Sequence, residues 1–170
     1  MIFDEAFYRK MATQKWRQQD YKKAAEYYEK VLELSPEDFD IQQHYAQCLV
    51  KLNIGKKAER LFYENIVKDF HVAESFYELS QLNIELNEPN KAFLFGINYV
   101  ILSDDKDFRE MLEKTFEVTY TNEQKIELEA QLFSTQLLFQ FLFSQGRLEE
   151  ARAFILNQSY EIQQHRVIRN

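Results

Sequence analysis

The sequence predicts an all-α protein built from antiparallel helix pairs, and three observations predict it. Ala24, Ala58 and Ala92 recur at intervals of 34 residues inside the related segments DYKKAAEYY, IGKKAERLF and PNKAFLFG. The small residues Ala12, Ala46 and Ser80 recur at the same interval at a second position, where a small side chain lets two helices approach closely. Only 3 Gly and 2 Pro occur in 170 residues, too few for a loop-rich all-β chain or a Gly-rich phosphate loop. With 45% hydrophobic and 15% aromatic residues the chain has ample material for a core, which excludes intrinsic disorder.

Taken in order, the recurrence predicts helix pairs at 5–18 and 21–34, 39–52 and 56–69, and 73–86 and 89–102. The stretch DYKKAAEYYEKVLELSPED shows why the first pair stops where it does. An apolar stripe runs to Leu34, and Pro36 then steers the residue before it out of the α region. Ala151 follows Ala92 by 59 residues, so about 25 residues are inserted after the third pair. Within them DKDFREMLEKTFEVTY places Phe108, Met111, Leu112, Phe116 and Val118 at roughly helical spacing, predicting an inserted helix at about 107–120. TNEQKIELEAQLF then opens a helix capped by Thr121 or Asn122, read as one long helix from Glu123 to Ser144 or two meeting end to end. SQGRLEEARAFI, with Gly146 in the turn, Ala151 and Ile155, completes a divergent fourth unit at about 123–165. Residues 1–170 read as a single domain with repeats at 5–38, 39–72 and 73–106 before the insertion.

This period and its residues resemble the tetratricopeptide repeat, whose pattern is W-x2-L-G-x2-Y, A-x3-F and P. Repeat one places Tyr8, Met11, Ala12, Lys15, Ala24, Tyr28 and Pro36 at the signature positions. Repeat two supplies Gln42, Tyr45, Ala46, Leu49, Ala58 and Phe62, with Phe70 where Pro is expected. Repeat three supplies Phe76, Leu79, Ser80, Asn83 and Ala92, with Gly96 in place of the aromatic and Asp104 in place of the Pro. The resemblance implies a right-handed superhelical array whose first helices line a groove that holds a peptide or helix of a protein partner. Carried over position by position, the groove residues are Arg9, Thr13, Trp16 and Arg17, then Gln43, Gln47, Val50 and Lys51, then Tyr77, Gln81, Ile84 and Glu85. One subclass of the family clamps a chaperone's C-terminal carboxylate. Its positions fall here on Arg9, Thr13, His44, Glu74 and Glu78, so two acids stand where bases are needed and that role is disfavoured.

The remaining chemistry narrows the function. Residues 1–72 balance 12 basic against 12 acidic side chains, while 73–170 hold 9 against 16, the source of the net charge of −7. An acidic field repels phosphate backbones, so nucleic acid is not expected as a partner. The single cysteine, Cys48, excludes an internal disulfide and a multi-cysteine zinc site. His44, His71 and His165 are widely separated, and no G-x-S-x-G, H-E-x-x-H or P-loop pattern occurs. The expectation is a non-enzyme without cofactor or metal. No run reaches the roughly 20 apolar residues of a membrane span, and MIFDEAFYRKM does not read as a signal peptide, so a cytoplasmic protein is expected.

A second function is written into residues 132–143, where Phe133, Phe139, Phe141 and Phe143 leave the helix apolar around most of its circumference. Such a helix must be covered on most faces. Either the inserted helix covers it, or it is an interface for self-association or for a further domain. A secretion-chaperone-like or peptide-sensing role is the distant third reading.

Overall fold

The computed structural model describes residues 3–118 and 123–164. Those residues form ten α-helices and no strand: α1 (Glu5–Arg17), α2 (Tyr21–Leu34), α3 (Phe39–Lys51), α4 (Gly55–Val67), α5 (Val72–Glu85), α6 (Pro89–Ser103), α7 (Lys106–Phe116), α8 (Glu123–Ser144), α9 (Leu148–Leu156) and α10 (Tyr160–Gln164). Each end of the first six lies within two residues of its expected position. The inserted helix is shorter than expected: it stops at Phe116 because Glu117 takes a left-handed conformation, φ 53°. The segment from Glu123 to Ser144 is one continuous helix, and its expected cap, Thr121 or Asn122, lies outside the described residues.

Short side chains start four of the helices. Asp4, Asp20, Asp38 and Asp105 each accept a hydrogen bond from the backbone N–H three residues on, satisfying one of the free donors of a first turn. One turn geometry closes four helix pairs. Gln19, Asn53, Asn87 and Gly146 all have positive φ, and the first three are 34 residues apart. The next residue's N–H then reaches back across the turn, from Asp20 to Lys15 O, Ile54 to Leu49 O, Glu88 to Asn83 O and Arg147 to Leu142 O. This is the Schellman arrangement, which returns the chain antiparallel to the helix it has just left. Only the fourth turn uses glycine, the residue for which left-handed φ carries no Cβ penalty.

The chain divides into two compact units, one running to Glu78 and the other starting at Leu79, inside α5. In the first unit α1 packs on α2, α2 on α3 and α3 on α4. Ala12, Ala24, Ala46 and Ala58 have no exposed surface, and Tyr28 and Phe62 are buried beside them. The repeated small residues are therefore buried where the helices of a pair pack, and their size permits close approach there. Replacing Ala58 with Leu should overpack that contact and cost about 1–3 kcal/mol in chemical unfolding; an unchanged midpoint would disprove the close contact.

In the second unit Ser80 and Ala92 keep the same positions fully buried, with Ser80 Oγ donating to Ala92 O at 2.7 Å. Gly96, at the aromatic position, is buried under α7. A Cβ built there would sit 2.7 and 2.8 Å from the two Leu112 methyls and 3.0 Å from Ser80 Oγ. Leu112 has no exposed surface, so it fills the space that Tyr28 and Phe62 fill in the first two repeats. Edge-to-face pairs secure the dock, Phe93 on Phe116 at 5.5 Å and Tyr99 on Phe108 at 4.9 Å. Ile97, Phe108, Leu112 and Ala130 form one cluster, which joins α6, α7 and the start of α8.

Helix α8 packs on α6 and α9. Its buried stripe is Ala130, Ser134, Leu138 and Leu142, spaced four apart, with Thr135 beside it. Ser134 and Thr135 are polar because they meet polar partners: Ser134 Oγ donates to Asn98 Oδ1 at 3.3 Å and Thr135 Oγ1 to Gln158 Oε1 at 3.4 Å, while Asn98 itself donates to Ala130 O at 2.9 Å.

Candidate interaction site

The first helices of the N-terminal unit position most of the sequence-derived groove residues. Along α1, Arg9, Lys10, Thr13, Gln14, Arg17 and Gln18 line an open depression of about 580 Å³. Thr13 and Arg17 are exposed, and Trp16 is half-buried with its ring edge-to-face on Tyr21 at 5.2 Å. On α3, Lys51 is exposed, while Val50 and Gln47 are half-buried and Gln47 Nε2 donates to Glu78 Oε1 at 3.1 Å. On α5, Tyr77 is 38% exposed. Gln81, Ile84 and Glu85 lie further along α5, in the part belonging to the second unit, with Ile84 and Glu85 exposed and Gln81 half-buried.

Two groove residues differ from expectation. Gln43 is buried, 4% exposed, and its Oε1 accepts from Asn65 Nδ2 and from Ser75 Oγ, both at 2.9 Å. It ties α3 to α4 and α5 and presents nothing to a groove. Arg9 is on the surface, but its guanidinium is occupied: it donates to Glu5 Oε1 at 2.6 Å and to the Asp38 carboxylate. Ser35 Oγ adds a bond to Glu5 at 2.8 Å, so the start of α1 is tied to the turn between α2 and α3. Arg9 is therefore a structural cation, and the uncompensated positive charge lining the depression comes instead from Lys10 and Arg17. Lys10 was not among the groove residues inferred from sequence, although its place one turn from Thr13 and Gln14 marks the same helix face.

The Arg9 network has a pH signature. Burial alone would raise the Asp38 carboxyl, but bonds from Arg9 and from the Ile41 N–H outweigh it and hold the group below its ordinary value. Glu5 is lowered by its bonds from Arg9 and Ser35. Carboxylates depressed in the folded state bind fewer protons there than in the unfolded chain. Their stabilisation is complete above the ordinary carboxylate range, about pH 4–5, and is lost as pH falls through the lower folded values. The wild type should accordingly lose stability between about pH 5 and pH 2 more steeply than Arg9→Leu, measured by urea unfolding across that range. Parallel curves would remove the network as the cause.

The remaining reactive side chains have settled local roles. Cys48 is fully buried and burial pushes its thiol up to about 12, so it stays protonated and unreactive at neutral pH. His44, one turn away, is exposed and stacked on Tyr28 at 5.9 Å. His71 pairs with Asp40, and His165 lies outside the described residues. Among the described residues no group of three His, Cys, Asp or Glu side chains converges as a metal site. Nor is any described helix long and apolar enough to cross a membrane.

The second candidate surface is on α8. Phe133 is half-buried against Phe95 at 5.2 Å, and Phe141 is half-buried with the Arg147 guanidinium 5.9 Å from its ring. Phe139 stacks on Phe143 at 5.8 Å, and Phe143 is 58% exposed. The inserted helix does not cover this stretch; α7 spends its apolar face on α6 and on the beginning of α8.

Comparison with known proteins agrees with this geometry. A family model described as tetratricopeptide repeat matches residues 15–62, which span the turn and second helix of the first pair and most of the second. No curated protein matches the sequence. Among solved structures, the crystal structure of MamA protein is similar with a TM-score of 0.54 and 18% identity, covering 88% of this chain and 87% of that one. At that identity the likeness speaks for the fold. The repeats and the fold together support a protein–protein interaction scaffold in general terms. The tetratricopeptide-repeat match thus covers residues 15–62, and over most of the chain the likeness is one of helix-pair fold.

Proposed function

We propose that the protein is a non-enzymatic, cytoplasmic adaptor that holds a peptide or helix of a partner protein against the first helices of its N-terminal unit. The observation that carries this reading is the division of labour within α1 and α3. Each buries its small-residue face, Ala12 or Ala46, and leaves an exposed polar face bearing Thr13 and Arg17 or Lys51. Trp16 and Tyr77 are the aromatic side chains available as anchors, the type that dominates interface energetics. Gln81, Ile84 and Glu85 belong to the same reading as candidates on the remainder of α5, and the pair α8–α9 is read as a divergent fourth repeat.

The test is capture of a partner from native lysate followed by titration of folded variants. Trp16→Ala or Tyr77→Ala should weaken binding more than tenfold, since an anchor contributes about 2 kcal/mol or more. Undiminished affinity in both would end the groove reading. The stack of half-buried Phe139 on exposed Phe143 favours a second reading, self-association through α8. Light scattering separates the two: a monomer at micromolar concentration excludes it, and a dimer dispersed by Phe143→Ser establishes it.

A further inference from the structure

We infer that the exposed face of α1 recognises an acidic segment of the partner, using Lys10 and Arg17 as a pair of cation contacts. The inference rests on the groove reading above and supplies the chemistry of what that face takes. It starts from the composition of the helix. EAFYRKMATQKWR contains one acid, Glu5, and four bases. Glu5 is already bonded to Arg9 and Ser35, Asp38 is bonded to Arg9, and the N-cap Asp4 accepts from the Phe7 N–H. Lys15 donates to Gln18 at 3.3 Å. Lys10 and Arg17 are exposed, and no described carboxylate pairs with either of them.

Both line the depression on α1 together with the polar Thr13, Gln14 and Gln18. The lining therefore combines uncompensated positive charge with neutral hydrogen-bonding groups and contains no acid. Such a surface attracts anions and has little to offer a basic or apolar segment. Seven residues along an α-helix rise about 10 Å. Carboxylates three residues apart on a peptide in the polyproline II conformation, which has three residues per turn, lie on one side about 9 Å apart. An acidic peptide can thus meet both cations at once without bending.

Nucleic acid fits less well. Its affinity comes from neutralising many phosphates, whereas this face offers two free cations on a chain of net charge −7. The geometry also differs from a carboxylate clamp built around the Arg9 position, because Arg9 is consumed by the protein's own carboxylates.

The experiment uses the full chain and defined probes. A fluorescein-labelled twelve-residue peptide with Glu at every third position among Ser and Ala is titrated by anisotropy at low salt. A Gln-for-Glu peptide, a Lys-for-Glu peptide and a labelled oligothymidylate are run beside it. The acidic probe is expected to bind at least about tenfold more tightly than the Gln probe, and to weaken by about that factor in Lys10→Glu/Arg17→Glu and at high salt. Lys22→Glu/Lys56→Glu, which alters the same net charge on other exposed positions, should retain binding. Circular dichroism checks the fold, and Lys10→Gln/Arg17→Gln replaces the charge reversal should that variant unfold.

Equal binding of the Glu and Gln probes overturns the inference. So does equal loss in the Lys22/Lys56 control, or oligothymidylate binding as tightly through the same residues. Failure here leaves the groove reading standing if the captured partner still depends on Trp16 or Tyr77. Success here with no such dependence confines the binding surface to α1.

Discussion

Leu112→Ala should cost about 2–5 kcal/mol in chemical unfolding, and Gly96→Phe about 3 kcal/mol, while the double variant should cost less than the sum. The reason is shared space. Leu112 is fully buried with both methyls at the place a Gly96 side chain would enter, and Ser80 Oγ closes the third side. Truncating Leu112 leaves a cavity. Adding a ring at Gly96 forces α7 away from α6, and with it the Phe93–Phe116 and Tyr99–Phe108 contacts. Combining the two places the new ring in the vacated space, which restores the arrangement the first two repeats use at Tyr28 and Phe62. Strict additivity of the two changes would show that Leu112 is not the side chain that replaces the aromatic.

A loss of about 2–4 kcal/mol is expected for Asn65→Leu, a change that keeps the branched heavy-atom shape and removes every hydrogen bond the side chain makes. Asn65 has no exposed surface and is the hub of a buried amide network. It accepts from Gln42 Nε2 at 2.7 Å and donates to Gln43 Oε1 at 2.9 Å and to Phe39 O at 3.3 Å. Its removal leaves Gln42 with only a long bond to Leu61 O at 3.4 Å and Gln43 Oε1 with Ser75 alone. Gln43→Met should cost less, under about 2 kcal/mol, because the buried Gln43 Nε2 has no partner among the described residues and its removal relieves a polar group already lacking a bond. Urea unfolding of the two variants gives the order. Gln43→Met costing more than Asn65→Leu would mean that the network is organised around Gln43.

The two networks also mark where sequence reasoning about the site stopped. By register, Gln43 occupies a groove position, and a glutamine there looks like any solvated polar residue. Whether an amide meets water or another amide is decided by what lies across from it. Its partners, Asn65 and Ser75, are 22 and 32 residues away in the chain. Arg9 repeats the lesson. Its i,i+4 relation to Glu5 can be read on a helix, but the contact that completes its neutralisation comes from Asp38, 29 residues on. Once Arg9 is removed from the free charges, Lys10 and Arg17 remain as the cations lining the depression on α1.

The sequence by itself determined the helix pairs, their turns and the small-residue contacts between them. These depend on local quantities: an apolar period of 3.6, a proline after Leu34, and a small residue at fixed intervals in Ala12, Ala46, Ala24 and Ala58. The same residues at the same spacing must pack in the same way, so a recurrence of 34 residues is legible without coordinates. Gly96 was visible as a departure from that recurrence, but only the tertiary structure showed which side chain takes the missing aromatic's place. It likewise decided that α7 spends its apolar face on α6 and leaves Phe143 exposed, that Gln43 turns inward, and that Arg9 is already paired. Packing and charge neutralisation are set by neighbours distant in the chain, and the identity of those neighbours follows from the fold.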